Sequence, residues 1–126
     1  MNPEERAREK IDEKLAAAGW VVQDRLAMDL GAGPGVVVRE FTLDTGEADY
    51  VLFVGRKACG IIEAKPDGTT LSGVADQTSR YQLGVPDVLP THEHGMCFAC
   101  ESTGVETFFR DQRDKDTRSR VSNRLL

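Results

Sequence analysis

A chain of 126 residues, 40% of them hydrophobic, is one domain of ordinary size, able to bury its own core. Its net charge of −5, from 16 Lys and Arg against 21 Asp and Glu, argues against a free-standing DNA-binding protein, because the phosphate backbone rewards a basic surface. No apolar run reaches a membrane span, the N-terminus is charged and not signal-like, and three cysteines, an odd number, argue for free thiols in a reducing compartment.

The periodicity predicts an amphipathic helix over residues 3–18. Pro3 suits its first turn, Asn2 its N-cap, and Glu4 and Glu5 its positive end. Ala7, Ile11, Leu15 and Ala18 recur at helical spacing, and Gly19 ends the helix. Trp20 to Asp24 reads as a short strand and Leu26 to Gly35 as a loop. Within that loop, Gly31-Ala32-Gly33-Pro34-Gly35 lacks the Gly-Lys-Ser/Thr ending of a phosphate-binding loop and reads as a turn. Val36 to Leu43 is a strand carrying Glu40, and Asp44-Thr45-Gly46 turns the chain. Two β-branched and aromatic runs follow, Ala48 to Val54 and Ala58 to Lys65, joined by Gly55-Arg56-Lys57 as a three-residue hairpin loop. Pro66-Asp67-Gly68 breaks the chain. Thr69 or Thr70 caps a second helix to about Leu83, with Leu71, Val74, Thr78 and Tyr81 as its buried stripe. Met96 to Cys100 and Val105 to Phe109 are two further strands. From Asp111 to Leu126 charges alternate without apolar periodicity, as in a linker or frayed terminus. The order α-β-β-β-β-α-β-β predicts an α/β fold, a central mixed sheet flanked by helices. One domain spans residues 1–110, followed by a charged tail at 111–126.

Asp49, Glu63 and Lys65 stand inside apolar strands, where an acid is costly to bury without a partner. Alternation sets Asp49, Val51 and Phe53 on one face, and Ile61, Glu63 and Lys65 likewise. The loop would pair Val54 with Ala58 and so Asp49 with Glu63. Carboxylates facing each other with Cβ atoms ~5 Å apart repel unless a cation lies between them or one is protonated. Mg²⁺ takes one or two carboxylates plus waters and phosphate oxygens. The alternative is a carboxylate–lysine ion pair on a solvated sheet face. Glu40, on the strand beside Asp49, is either a further metal ligand or an ion-pair partner. Glu5 and Glu9 read as a solvated helix face. On the second helix Gln77 and Tyr81 lie four apart and share a face, with Arg80 beside them as a candidate DNA contact; the alternative is Tyr81 in the core and Gln77 exposed. His92-Glu93-His94-Gly95-Met96-Cys97-Phe98-Ala99-Cys100 has zinc-ligand types, but in a strand Cys97 and Cys100 point to opposite faces. Arg110, Arg113, Lys115, Arg118, Arg120 and Arg124 could touch a DNA backbone, yet Asp111, Asp114 and Asp116 dilute them, and a solvated tail is the better reading.

Asp49, thirteen residues, then Glu63-Ala64-Lys65 resembles the signature of the PD-(D/E)xK nuclease superfamily, with Ala48 where the superfamily name has Pro. Gln77-Thr78-Ser79-Arg80-Tyr81 resembles the Gln-x-x-x-Tyr motif of its RecB-like branch, particularly the N-terminal endonuclease domain of the type I restriction enzyme R (motor) subunit, HsdR-like. Ala17-Ala18-Gly19-Trp20, Val38-Arg39-Glu40-Phe41, Gly68-Thr69-Thr70-Leu71 and Glu101-Ser102-Thr103-Gly104 are also similar to that domain. The resemblance covers roughly residues 5 to 120. It implies a restriction-endonuclease-like core and Mg²⁺-dependent (or Mn²⁺-dependent) hydrolysis of double-stranded DNA. Asp49 and Glu63 would hold the metal with the Ala64 carbonyl as a third ligand. Lys65 would assist the water or the developing charge, with Gln77 and Tyr81 in support. It further implies methyltransferase and specificity subunits as partners, ATP acting only through a motor domain beyond this chain, and a bacterial or archaeal cytoplasm. The chain would then be an excised domain or a truncated gene product. Two readings remain beside it: another nuclease of the superfamily, of junction-resolving or phage-defence type, and a catalytically idle module that docks the motor onto its partners.

Overall fold

The computed structural model describes residues 2–43, 46–68, 98–111 and 120–122. Helix α1 (Pro3–Ala17) begins with a reciprocal cap: the Glu5 amide donates to Asn2 Oδ1 at 2.8 Å and the Asn2 amide donates to Glu5 Oε2 at 3.3 Å. Two donors that a helix start leaves open are thereby satisfied. Ala7, Ile11 and Leu15 are buried as expected, but Ala18 is exposed past the helix end. Gly19 there adopts a left-handed φ of 99°, and the Trp20 amide reaches back to the Leu15 carbonyl at 3.0 Å.

Seven strands form one sheet in sequence order: β1 (Val21–Asp24), β2 (Gly35–Leu43), β3 (Gly46–Val54), β4 (Lys57–Ala64), β5 (Phe98–Ser102), β6 (Thr107–Asp111) and β7 (Arg120–Ser122). The pairs β1–β2 and β4–β5 are parallel and the rest antiparallel, so the α/β class and mixed sheet agree with the sequence reading. Several boundaries differ. Trp20 stands outside β1, and its ring lies over Gly35, where a Cβ would come within 2.9 Å of it. A 3-10 turn, Arg25–Ala27, occupies the start of the expected loop. The strand Phe98–Ser102 runs two residues past its predicted end, and the next, Thr107–Asp111, begins and ends two residues later than predicted. The sheet also continues past residue 110, since Arg120–Ser122 pairs with β6. A strand at a sheet edge is held by ladder hydrogen bonds, so it can form without apolar periodicity. The expected second helix with Gln77, Arg80 and Tyr81, and the segment His92 to Cys97, lie outside the described residues.

The sheet is apolar on both faces, as in strands covered from two sides. Ile11 and Leu15 of α1 pack on Val37, Tyr50, Leu52, Ile62 and Cys100. The opposite layer holds Val36, Val38, Val51, Phe53, Ala58 and Ile61.

The β3–β4 hairpin is tighter than the sequence suggested. Lys57 belongs to β4 and pairs with Val54, leaving Gly55 and Arg56 as a two-residue loop with φ of 57° and 68°. Positive φ at both central residues is the turn whose twist matches the flanking strands. This loop alone would slip the register by one residue. A bulge restores it: Ala58 faces Phe53 while Gly60 faces Leu52, so Cys59 is the extra residue. Beyond the bulge Tyr50 pairs with Ile62, and continuing that register by one residue sets Asp49 across from Glu63.

Gly60 makes the neighbouring β4–β5 contact possible. A Cβ there would lie 2.7 Å from the Phe98 carbonyl oxygen and 2.8 Å from Phe98 Cβ. Gly60→Ala should therefore destabilise the chain by about 1–3 kcal/mol through overpacking. Urea melts of both proteins check this, and indistinguishable midpoints would show that β5 can move aside.

Candidate functional site

The site begins where the pleat breaks. Glu40 has a left-handed φ of 55°, and the β2–β3 ladder passes from Arg39↔Tyr50 to Phe41↔Ala48 without a Glu40–Asp49 pair. Alternation changes phase there on both strands. On β2, Val38 and then Phe41 and Leu43 share one layer; on β3, Ala48 joins Val51 and Phe53. Asp49 lies at this break, which lets its carboxylate reach two neighbours. Its Oδ1 accepts from Arg8 Nη2 of α1 at 2.5 Å, and its Oδ2 accepts from the Ala64 amide at 2.8 Å.

Arg8 is the residue that sequence reasoning missed. It also meets Glu4 Oε1 at 3.2 Å and Glu40 Oε1 at 3.4 Å. Burial works against its charge, but the carboxylates of Asp49, Glu4 and Glu40 prevail and hold the guanidinium more firmly protonated than usual. The only sequence signal was its position one helical turn after Glu4; the strands it meets are remote in the chain. Glu40, open between ligand and ion-pair partner on sequence, is here an ion-pair partner of Arg8. Glu5 is used in the helix cap, and Glu9 is exposed.

A second cluster locks α1 in place. Arg39 donates to Asp12 Oδ2 and Asp24 Oδ1, both at 2.8 Å, and the Tyr50 hydroxyl donates to Asp12 Oδ1 at 2.8 Å. Burial, followed by the bond to Asp12, pushes the Tyr50 phenol well above its ordinary range, so it remains a donor. The two clusters line a cleft of about 230 Å³ between α1 and the sheet, with Asp49 and Glu40 at one side.

Glu63 is only 3% exposed. Burial, then the Asp49 carboxylate beside it, raises its pKa to about 9, and the Lys65 ammonium offsets part of this. Among the described residues its Oε1 is buried with no hydrogen-bond partner. Lys65 follows the end of β4 instead of lying in it, its amide bound to the Ser102 carbonyl at 2.9 Å. In an extended strand the N–H and C=O of one residue point the same way. The Ala64 carbonyl therefore faces the Asp49 side, like its amide. The structure thus brings Asp49, Glu63, Ala64 and Lys65 together, with Glu40 joined through Arg8. Glu101, 1% exposed, pairs in register with Glu63 on β5. It carries the signal that marked Asp49 and Glu63, an acid within an apolar strand, and sequence reasoning did not select it. Cys100, from the segment weighed for zinc, is buried against α1.

The donor set suits a hard divalent cation: two carboxylates, one with an orphaned buried oxygen, and a backbone carbonyl. No three His, Cys, Asp or Glu side chains converge on one point among the described residues. Waters and substrate oxygens ordinarily complete such a shell.

A family profile described as the second domain of the type I restriction enzyme EcoKI endonuclease subunit matches residues 32–101. This chain belongs to that family. The matched span contains Glu40, Asp49, Glu63, Lys65 and Glu101. The EcoKI endonuclease subunit of Escherichia coli (strain K12) is 34% identical over 89 residues, covering 62% of this chain and 8% of that protein. A solved HsdR-subunit fragment of a type I restriction enzyme from Vibrio vulnificus YJ016 shares the fold, with a TM-score of 0.67 at 19% identity. That likeness covers 99% of this chain and 23% of the other. The likeness to the R subunit is thereby borne out, and the chain spans a small part of the length of these relatives.

The raised pKa of Glu63 has a sign that can be tested. Between its ordinary 4.5 and about 9 the folded chain holds a proton that the unfolded chain releases. Stability therefore falls as pH rises through that window. Urea melts from pH 5 to 9 without divalent ions should show this decline, and Glu63→Gln should flatten it. An equally steep decline in Glu63→Gln would assign it to another group.

Proposed function

We propose that this chain is the DNA-cleaving domain of a type I restriction enzyme R subunit, a Mg²⁺-dependent endonuclease with a restriction-endonuclease-like core. The observation that carries the reading is the buried, unpartnered oxygen of Glu63 across the sheet from Asp49, with the charge of Lys65 acting on the same carboxyl.

Asp49, Glu63 and the Ala64 carbonyl would hold the metal. When bound, Mg²⁺ would neutralise charge on the scissile phosphate and acidify the attacking water. Glu63 must release its proton to serve as a ligand. Lys65, one residue beyond the Ala64 carbonyl, orients the water or meets the charge that develops on the phosphate. Gln77 and Tyr81 are assigned a supporting role by the motif they share with the superfamily, and Arg80, next to Tyr81 in the sequence, is the candidate DNA contact. Buried acids dominate the described site, and base reading is left to other subunits. Double-stranded DNA and the methyltransferase and specificity subunits are the partners this reading implies. ATP acts through a motor domain elsewhere in the enzyme, and the setting is a bacterial or archaeal cytoplasm.

In the intact enzyme Asp49→Ala, Glu63→Ala and Lys65→Ala should each abolish plasmid cleavage while ATP hydrolysis continues. A Lys65→Ala enzyme cutting at the normal rate would sink the catalytic assignment and favour a docking module. For the chain itself, Mg²⁺ or Mn²⁺ should raise the melting temperature, since a ligand bound only by the native state stabilises it by roughly 2.7 kcal/mol at a hundredfold excess over Kd. Asp49→Asn should lose most of that shift. An undiminished shift in Asp49→Asn would place the ion elsewhere.

A further inference from the structure

Arg8 stands where a cation on Asp49 would stand. Asp49 Oδ2 is committed to the Ala64 amide, so Oδ1 is the oxygen left for a further partner, and Arg8 Nη2 takes it at 2.5 Å. The same guanidinium meets Glu40 Oε1 at 3.4 Å, the carboxylate opposite Asp49 on β2. One side chain from α1 thus neutralises both acids that flank the break in the pleat. An arginine cannot be switched off by pH in this setting. A divalent ion and a guanidinium cannot both hold one carboxylate oxygen at short range, because like charges repel. Freeing Oδ1 therefore requires that the guanidinium move. Glu4, one helical turn earlier, already meets the same Nη2 at 3.2 Å, so the guanidinium keeps a partner when it leaves Asp49.

We propose that Arg8 competes with the divalent cation for Asp49 Oδ1, so that α1 latches the site until the ion is taken up and the guanidinium gives up Asp49 while keeping Glu4. This rests on the metal reading of Asp49 and Glu63.

The test is calorimetric titration of Mn²⁺ into the 126-residue chain and its Arg8→Met variant, which keeps the aliphatic stem and removes the charge. The variant should bind Mn²⁺ roughly tenfold more tightly, the scale of one lost charge-assisted contact discounted for partial exposure. Its ion-free melting temperature should fall below wild type, and saturating Mn²⁺ should close that gap. Equal or weaker binding by Arg8→Met would overturn the competition and leave the metal site standing. No binding by either protein would remove the metal reading and the latch with it. Should Arg8→Met fail to fold, the wild-type chain still decides the matter by NMR. Saturating Mg²⁺ should speed exchange of the Arg8 guanidinium protons with water, and unchanged exchange would refute the latch.

Discussion

The Asp49 carboxylate ties four elements together. From β3 it accepts the amide at the end of β4 and the guanidinium of α1, and Arg8 carries the link on to Glu40 of β2. A largely buried carboxylate needs such partners, because desolvating a charge is costly unless hydrogen bonds and an opposite charge replace water. Its side chain is 13% exposed, and both oxygens are answered. Glu63, across the sheet, has no guanidinium of its own among the described residues and lies beside Asp49. The two acids thus divide unequally: one is paired with a guanidinium, the other is pushed toward its protonated form. Burial of Glu63 and the Asp49 carboxylate beside it set that asymmetry, and Arg8 supplies the partner on the Asp49 side.

Two irregularities of the sheet deliver this arrangement. The bulge at Cys59 sets the β3–β4 register, and the left-handed Glu40 turns the phase of the pleat at Asp49. Neither is a regular strand feature, and both lie on the strands that carry the acids. Bulges and strained backbone gather at functional sites because they re-aim side chains that a regular ladder would point elsewhere. Here the outcome is specific. A regular β3 would hide Asp49 in the layer of Val51 and Phe53, whereas the break gives it to the helix side without parting it from Glu63.

Much of this was legible in the residues, and one part for an incomplete reason. Apolar β-branched and aromatic runs located β2, β3 and β4, and Asn2 before Pro3 foretold the N-cap, though not the return bond from Glu5. The pairing of Asp49 with Glu63 was expected from a three-residue loop. The structure reaches it with a two-residue turn and a compensating bulge, because Arg56 accepts a left-handed φ that a sequence reader assigns to Gly, Asn or Asp. Arg8 was not legible. Its contact with Asp49 spans 41 positions, and an arginine on a charged helix looks like any solvated residue. Glu101 was legible in kind, an acid after Phe98-Ala99-Cys100, but its place beside Glu63 depends on a parallel pairing that spacing does not reveal.

The acidity of the chain takes a different meaning once the site is placed. A net charge of −5 repels phosphate. On the metal reading, that repulsion holds until a divalent ion is bound. Ion and DNA then raise each other's affinity, since coupling between two bound ligands is reciprocal. Arg8 fits this scheme as the cation that keeps the acids compatible with folding before the ion arrives. On that reading the site would resist DNA until the ion is bound, and the acidity that argues against DNA binding in the sequence alone would tie cleavage to metal occupancy.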